Sequence, residues 1–248
     1  MQEKKSSFKS PPKKYQPKGL SVIYEDREII VVDKINGLLT VGTEREKNKT
    51  AHFLLNEYVK KGEVKSRNRV FIVHRLDRET SGILIFAKNQ KTKIYLQEKW
   101  KDFSKKYITV VHGNLKNKEG VITSYLAENE AFKMYSVKDQ DKGKLAKTGY
   151  KVIKETDKYS MLEINLLTGR KHQIRVHLSE MGHPVVGDKT YGTADKSIER
   201  LALHSSSLTI THPFNNKEIN FDTGIPFYFK TLVKLGPAEK VDTSVLLK

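Results

Sequence analysis

Alternating apolar and polar residues predict that most of this chain folds into short β-strands. Ser21–Tyr24 and Ile29–Asp33 are β-rich runs on either side of the polar segment Glu25–Glu28, so we expect a hairpin or two paired strands. Further runs with strand character are Val70–Val73, Gly82–Ala87, Tyr107–Val111, Val121–Leu126, Gly149–Lys154, Met161–Leu167, Leu201–Thr211 and Glu218–Phe221. The strands follow one another more often than they alternate with helices, which predicts an α+β fold with an antiparallel-rich mixed sheet.

Four segments have helical spacing and would flank this sheet. Thr50–Lys61 has apolar residues at positions 51, 54, 55 and 58, and Asn89 can cap a helix that runs to about Phe103. His172–Met181 has apolar residues spaced i, i+4 and i+7 and is followed by a Gly-His-Pro sequence that ends a helix. A closing helix is predicted over Pro226–Leu235.

The domain organisation predicted from composition is one folded domain with a basic arm before it. Residues 1–18 contain six lysines, one glutamate and three prolines with few apolar groups, so we expect a flexible arm that cannot order itself. Residues 19–248 show no internal repeat and no second type of composition, which predicts a single domain with its core over about residues 20–235.

The net charge points to a polyanionic partner. The chain has 46 Lys and Arg against 29 Asp and Glu, for a net charge of +17, and the part after the arm carries +12 of it. Such an excess favours nucleic acid as a partner, with a soluble protein of a lysine-rich proteome as the alternative. No window approaches 18 consecutive apolar residues, so no membrane span is predicted. With no apolar signal segment and no cysteine, we expect a cytoplasmic protein.

Several enzyme classes are excluded by missing residue types and motifs. The absence of cysteine removes thiolate nucleophiles, thiolate zinc sites and the zinc deaminases of nucleobases. No dinucleotide-binding, Walker A, H-E-x-x-H or G-x-S-x-G motif is present, and His172 and His177 are spaced off a shared helical face. We therefore expect no metal site and no cofactor, which leaves chemistry by carboxylate, tyrosine and arginine.

Asp77 is the first candidate for such chemistry, within the sequence VHRLDRETSGILIFAK at 73–88. It lies between Arg75 and Arg78 on the predicted connection between two strands, where a side chain is both fixed and reachable. The arginines favour the ionised form that a carboxylate nucleophile needs. From this segment alone the alternative stays open that Asp77 caps a turn while the arginines bind phosphate.

Three sequences taken together resemble the RluA-type pseudouridine synthases: HRLDRETSG at 74–82, LTGRKHQIRVHL at 167–178 and GHPVVGDKTYG at 182–192. Further matches are IIVVDKINGLLT at 29–40, KKYITVVHG at 105–113 and ALHSSSLTITHP at 202–213, so the resemblance covers about residues 20–235. The chain departs from the family pattern at Ile35, where proline is common, and in lacking an appended S4-type RNA-binding domain.

The resemblance implies a pseudouridine synthase catalytic domain with a central RNA-binding cleft, which isomerises uridine in structured ribosomal or transfer RNA without a cofactor. Asp77 would act at the ribose, as nucleophile on C1′ or as base in a glycal route. Tyr107 would stack on the uracil and help to remove the C5 proton, and Arg175 would be the salt-bridge partner of Asp77. A catalytically silent RNA-binding protein or chaperone on the same fold is the alternative.

The resemblance also implies a set of RNA contacts around these residues. The predicted contacts are Arg75, Arg78, Lys105, Arg170, His172 and Gln173. Arg75 is the candidate to fill the space left by the flipped base, because guanidinium planes stack on bases. Arg170, His172 and Gln173 are expected to be supports or phosphate contacts rather than reagents. Ile174 and Leu178 are expected to be plain core, and we expect a monomer with no obligate protein partner.

Overall fold

The computed structural model describes residues 8–44, 46–192, 198 and 200–235. These residues belong to two compact units. The first unit takes its residues from 1–104 and 205–223, and the second unit takes its residues from 105–204 and 224–248. The prediction of a single domain over residues 19–248 stays a prediction, because compactness does not say whether the units fold independently.

The described residues form strands and helices in an order that confirms the predicted α+β class. The strands are β1 Leu20–Glu25, β2 Ile29–Lys34, β3 Phe71–Ile72, β4 Ser81–Ala87, β5 Ser104–His112, β6 Glu119–Glu128, β7 Met134–Val137, β8 Lys144–Glu155, β9 Tyr159–Leu166, β10 Leu203–Thr211 and β11 Glu218–Asp222. The α-helices are α1 Ala51–Lys60, α2 Gln90–Glu98, α3 Gln173–Glu180 and α4 Phe227–Leu232. None of these described helices is long and apolar enough to cross a membrane.

The first unit has its strands in the order β1-β2-β4-β10, with β3 paired to β4 and β11 paired to β10. The pairs β1–β2 and β2–β4 are antiparallel, which confirms the predicted N-terminal hairpin. All seven residues of β4 are buried, so this strand reads as a continuous apolar run rather than an alternating one. Gly82 is required there, because a Cβ at its φ of +112° would overlap the backbone of Ser205.

Both helices of the first unit begin at the residues that the sequence predicts. The Thr50 hydroxyl accepts a hydrogen bond from the Phe53 amide, and the Asn89 side chain accepts one from the Thr92 amide. Helix α2 ends at Glu98 and a 3₁₀ turn follows, so the predicted extension to about Phe103 was too long.

The second half of the basic arm contacts β1, which differs from the predicted flexible segment. The Ser10 hydroxyl donates to the Val22 carbonyl at 2.5 Å, and the Val22 amide donates to the Gln16 side chain at 3.0 Å. The register of β1 against β2 shifts between Val22 and Tyr24, which marks a bulge. Composition gave no sign of these contacts, because they depend on single polar side chains. Residues 1–7 of the arm lie outside the described residues.

The second unit has its strands in the antiparallel order β5-β9-β8-β6-β7. Strand β7 was not predicted from the sequence. Helix α3 buries Ile174 and Leu178, which confirms that both belong to the core. The same helix also buries Arg175, with 5% of its surface exposed, so a cation is held inside this unit.

Candidate active site

Asp77 lies half-buried on the connection between β3 and β4, as the sequence predicts. The Thr80 amide donates to the Asp77 carbonyl at 3.2 Å and closes a turn, so the backbone under the carboxylate has a defined shape. Arg75 and Arg78 on the same connection are both exposed, which leaves them reachable from solvent. Arg78 also forms an ion pair with Glu46.

The connection that carries Asp77, here called the Asp77 loop (residues 74–80), is fastened to residues 34–40. The Thr40 hydroxyl donates to the Leu76 carbonyl at 2.7 Å and accepts from the Leu76 amide at 3.2 Å. The Gly37 amide donates to the Arg78 carbonyl at 2.9 Å, and the Asn36 side chain donates to the Glu79 carbonyl. The backbone on both sides of Asp77 is therefore held by one neighbouring segment.

Lys34 adds a buried ammonium group to this anchor. Its side chain is fully buried, and Nζ donates to the carbonyls of Leu38 at 2.7 Å, Ile35 at 3.1 Å and Arg78 at 3.2 Å. Burial lowers the pKa of Lys34 to about 8, although the nearby carboxylates, Asp77 among them, act to raise it. Lys34 thus places a cation beside the loop and ties the loop to the segment beneath it.

Two of the predicted site residues lie on β5 of the second unit. Tyr107 is buried and pairs with Ile164 of β9. Lys105 is also buried, with 8% of its surface exposed, and its predicted RNA contact stays a prediction. The strand period of two puts Lys105 on the same face of β5 as Tyr107 and the fully buried Thr109.

Arg175 forms a bidentate ion pair with Asp188 inside the second unit. Nε donates to one carboxylate oxygen at 2.7 Å and Nη2 to the other at 2.8 Å. Burial acts to raise the pKa of Asp188, but the hydrogen bonds and charge of Arg175, together with the amides of Tyr191 and Thr190, hold this pKa below its ordinary value. Planar bidentate geometry fixes the guanidinium in direction as well as position. The sequence analysis did not single out Asp188, although it is part of the GHPVVGDKTYG segment.

Tyr191 completes the support of Arg175. Its ring centroid lies 5.1 Å from the Arg175 Cζ atom, and its amide donates to Asp188 at 3.0 Å. Its hydroxyl accepts from the Met134 amide at 2.9 Å and lies 2.8 Å from Nδ1 of His172. Tyr191 therefore joins β7, the start of α3 and the Arg175–Asp188 pair. A side chain at Gly187 would overlap the Arg200 backbone, which explains the second glycine of this motif.

The amide group of Gln173 is hydrogen-bonded within the protein, as expected of a support, and its predicted RNA contact stays a prediction. The side chain is buried; its oxygen accepts from the Thr168 hydroxyl and the Arg170 amide, and its nitrogen donates to the Lys147 carbonyl and the Thr148 hydroxyl. Arg170 is exposed and its Nε donates to the Leu145 carbonyl at 3.0 Å. Arg170, His172 and Gln173 were each predicted to be a support or a phosphate contact. Of these three residues, Arg170 is exposed and His172 is half-buried, so both can be reached from solvent.

His177 is a structural histidine. It is buried between the hydroxyls of Thr148, 2.9 Å from Nδ1, and Ser124, 3.0 Å from Nε2. Burial lowers its pKa, although Glu180 acts to raise it, so the neutral ring is favoured. The described residues contain no group of three or more histidine, aspartate or glutamate side chains arranged to bind a metal ion.

The predicted site residues fall into two groups, one in each unit. Asp77, Arg75 and Arg78 share the Asp77 loop of the first unit, while Tyr107 and Arg175 belong to the second unit. The pairing of Asp77 with Arg175 therefore stays a prediction. The carboxylate that holds Arg175 within its own unit is Asp188.

Known proteins are similar to this chain in sequence and in fold. The family model described as RNA pseudouridylate synthase matches residues 28–180. An uncharacterized RNA pseudouridine synthase of Mycoplasma genitalium is 34% identical over 223 residues, which cover 87% of this chain and 70% of that protein. The ribosomal large subunit pseudouridine synthase D of Borreliella burgdorferi is 38% identical over 200 residues, covering 77% of this chain and 61% of that protein. The solved structure of human RNA pseudouridylate synthase domain containing 1 matches with a TM-score of 0.73 and 26% identity, over 95% of this chain and 96% of that one.

Proposed function

Because this chain belongs to the RNA pseudouridylate synthase family and so isomerises uridine in RNA, we propose that it acts on ribosomal RNA with Asp77 as the reagent. The observation that carries the role of Asp77 is the anchoring of its loop. A carboxylate that attacks a ribose must be held in place before the substrate arrives, and hydrogen bonds to residues 34–40 hold the backbone on both sides of it.

The proposed reaction rearranges the bonds of the target nucleotide and regenerates Asp77 at its end. In one route Asp77 attacks C1′ while the bond between C1′ and N1 breaks, and the bond between Asp77 and C1′ breaks when the freed uracil turns and rejoins C1′ through C5. In the glycal route Asp77 takes the C2′ proton while the bond between C1′ and N1 breaks, and it returns this proton to C2′ as C5 of the turned uracil bonds to C1′. The C5 proton is then lost and N1 gains a proton, so the product is an isomer of the substrate. No electron acceptor or outside group is consumed, which agrees with the expectation of a cofactor-free enzyme.

Tyr107 and Arg175 are proposed to act on the base and on the reagent. The Tyr107 ring would stack on the uracil, and its hydroxyl would help to remove the C5 proton. Arg175 would stabilise the ionised Asp77. Its fixed geometry supports this role, because Asp188 engages Nε and Nη2 of the guanidinium and Cζ lies 5.1 Å from the centroid of the Tyr191 ring.

Ribosomal RNA is proposed as the substrate because several relatives carry that function in their names. Proteins of Borreliella burgdorferi, Zymomonas mobilis and Nitrosomonas europaea, 32–38% identical to this chain, are named ribosomal large subunit pseudouridine synthase D. Transfer RNA is the alternative to be tested beside it. From the sequence we further propose a monomer that acts in the cytoplasm.

The decisive experiment replaces Asp77 by asparagine. Asp77→Asn is nearly isosteric but removes the charge and the nucleophile, so tritium release from RNA labelled at C5 of uridine should disappear. Binding of the same RNA should stay within about tenfold of wild type, a difference of about 1.4 kcal/mol. Glu79→Gln is the matched control, because it neutralises an exposed carboxylate on the same loop and should keep both activities.

The substrates for this assay are unmodified transcripts of large-subunit ribosomal RNA and of transfer RNAs. Release from ribosomal RNA alone is the expected result for the wild type. Release from transfer RNA alone would overturn the proposed substrate but not the role of Asp77. Undiminished release by Asp77→Asn would show that another group is the reagent. Binding without release from either RNA would favour the silent RNA-binding protein.

A further inference from the structure

The hairpin between β6 and β7 carries an exposed aromatic side chain at its tip. The tip consists of residues 129–133, and Phe132 has 74% of its surface exposed. The tip is closed by hydrogen bonds from the Phe132 amide to the Asn129 carbonyl at 2.9 Å and from the Asn129 amide to the Lys133 carbonyl at 3.0 Å. The ring therefore stands on a defined turn and points away from the core of its unit.

Neither the turn nor the core accounts for a phenylalanine at this position. Phe132 has a φ of +58°, a backbone conformation that suits glycine or asparagine and is an outlier for a bulky residue. An exposed ring also gains little from the burial of apolar surface. A residue that fits neither its backbone nor its environment persists where it does something else, and function is the usual reason.

Lys171 fixes the hairpin tip to the segment that leads into α3. Its Nζ donates to the Phe132 carbonyl at 3.0 Å and lies 5.8 Å from the centroid of the Phe132 ring. It also forms an ion pair with Glu128 at the end of β6. Lys171 directly precedes His172, which contacts Tyr191 beneath Arg175. The tip is thus connected, within one unit, to the support of a proposed catalytic residue.

We propose that Phe132 is a stacking platform for an unpaired base of the substrate RNA, with the ammonium group of Lys171 next to its ring. This inference rests on the proposed function, because it assigns a contact of the same RNA. Base–aromatic stacking flanked by cations is the usual chemistry of single-stranded RNA binding. A second copy of the chain fits less well, since each copy carries a net charge of +17.

The first test measures the affinity of Phe132→Ala for a 12-nucleotide oligouridine and for an RNA duplex of the same length. Loss of one stacked base should weaken oligouridine binding between about fivefold and about 150-fold and leave duplex binding unchanged. The matched control is Phe214→Ala in the first unit, which removes a ring that is 79% exposed and should change neither affinity. Equal affinities for wild type and Phe132→Ala would overturn the proposal.

A second variant separates stacking from structure. Phe132→Gly removes the ring and also relieves the positive φ, so it should weaken oligouridine binding as Phe132→Ala does while the melting temperature holds or rises. Loss of binding together with a lower melting temperature in both variants would assign Phe132 a structural role. Phe132→Trp should bind as wild type, and its added fluorescence should be quenched by oligouridine, whereas that of Phe214→Trp should not.

The tritium-release assay distinguishes a failure of this proposal from a failure of the proposed function. If wild type releases tritium and Phe132→Ala binds oligouridine as tightly as wild type does, the stacking role of Phe132 is refuted and the proposed function stands. If wild type releases no tritium, the proposed function is refuted, whatever Phe132 binds. Sedimentation that shows a dimer dissociated by Phe132→Ala would assign the ring to contact between copies instead.

Discussion

Replacing Lys34 by methionine should separate the activity of this protein from its stability. The substitution keeps an unbranched apolar stem and removes the buried ammonium that ties Arg78, on the Asp77 loop, to residues 34–40. The Arg78 carbonyl keeps a hydrogen bond from Gly37 at 2.9 Å, but the loop loses a tie and a neighbouring cation. We expect tritium release to fall by at least tenfold, because a misplaced reagent costs rate steeply.

The stability change at pH 7 should be small because two effects oppose each other. A Leu38 carbonyl left without its donor costs about 1–3 kcal/mol. Against it, a pKa lowered from 10.5 to about 8 means that the folded state disfavours the charged lysine by about 3 kcal/mol, and methionine removes that cost. We therefore expect the free energy of unfolding of Lys34→Met to lie within about 2 kcal/mol of wild type.

The difference in unfolding free energy between wild type and Lys34→Met should change with pH. Between pH 8 and 10.5 the unfolded chain keeps a proton on Lys34 that the folded chain has released, so the stability contributed by this group rises with pH. Across that window wild type should gain about 3 kcal/mol relative to Lys34→Met, and below pH 8 the difference should be constant.

Urea unfolding of both proteins at pH values from 7 to 10.5 measures this difference, and the half-exposed Lys88→Met serves as the control for loss of a lysine in the first unit. A difference that stays flat over the window would refute the burial of the Lys34 ammonium. Full tritium release by Lys34→Met would refute its role in placing the Asp77 loop.

Two further predictions concern the base and the arm. Tyr107→Phe should bind substrate RNA nearly as well as wild type but release tritium much more slowly, and equal losses of both would make the residue structural. Replacing the exposed Lys9, Lys13 and Lys14 by alanine should weaken RNA binding without changing the chosen uridine, and should reduce the salt slope by about 0.7 for each lysine that contacts a phosphate. An unchanged slope would show that these lysines only aid solubility.

Sequence patterns predicted the central strands because a strand that is buried on both faces consists mostly of apolar residues. β2 and β4 lie inside the strand order of the first unit, and residues 29–32 of β2 and 83–87 of β4 are buried, continuous apolar runs. β7 was missed because Met134–Val137 is short, lies at the end of its strand order and has an exposed Tyr135, so its pairing comes from β6 and not from its own composition.

The sequence motifs identified the residues of the candidate site, but they did not predict how packing positions those residues. Asp77, Tyr107 and Arg175 came from three motifs. The bidentate pairing of Arg175 with Asp188 depends on how α3 lies against the segment after Pro184, which spacing alone does not give. The resemblance implied an RNA contact for Lys105, and its position on β5 leaves only 8% of its surface exposed.

The contacts of Ser10 and Gln16 with Val22 have a consequence for how this protein behaves at high concentration. β1 ends the strand order of its unit, and a strand in that position can recruit a strand of another molecule through its unpaired amides and carbonyls. Two side chains of the arm occupy the amide and the carbonyl of Val22, and the bulge that follows disturbs the straight ladder that an incoming strand needs. A truncation that stops before Phe8 keeps this protection, whereas one that also removes residues 8–18 opens β1 to aggregation.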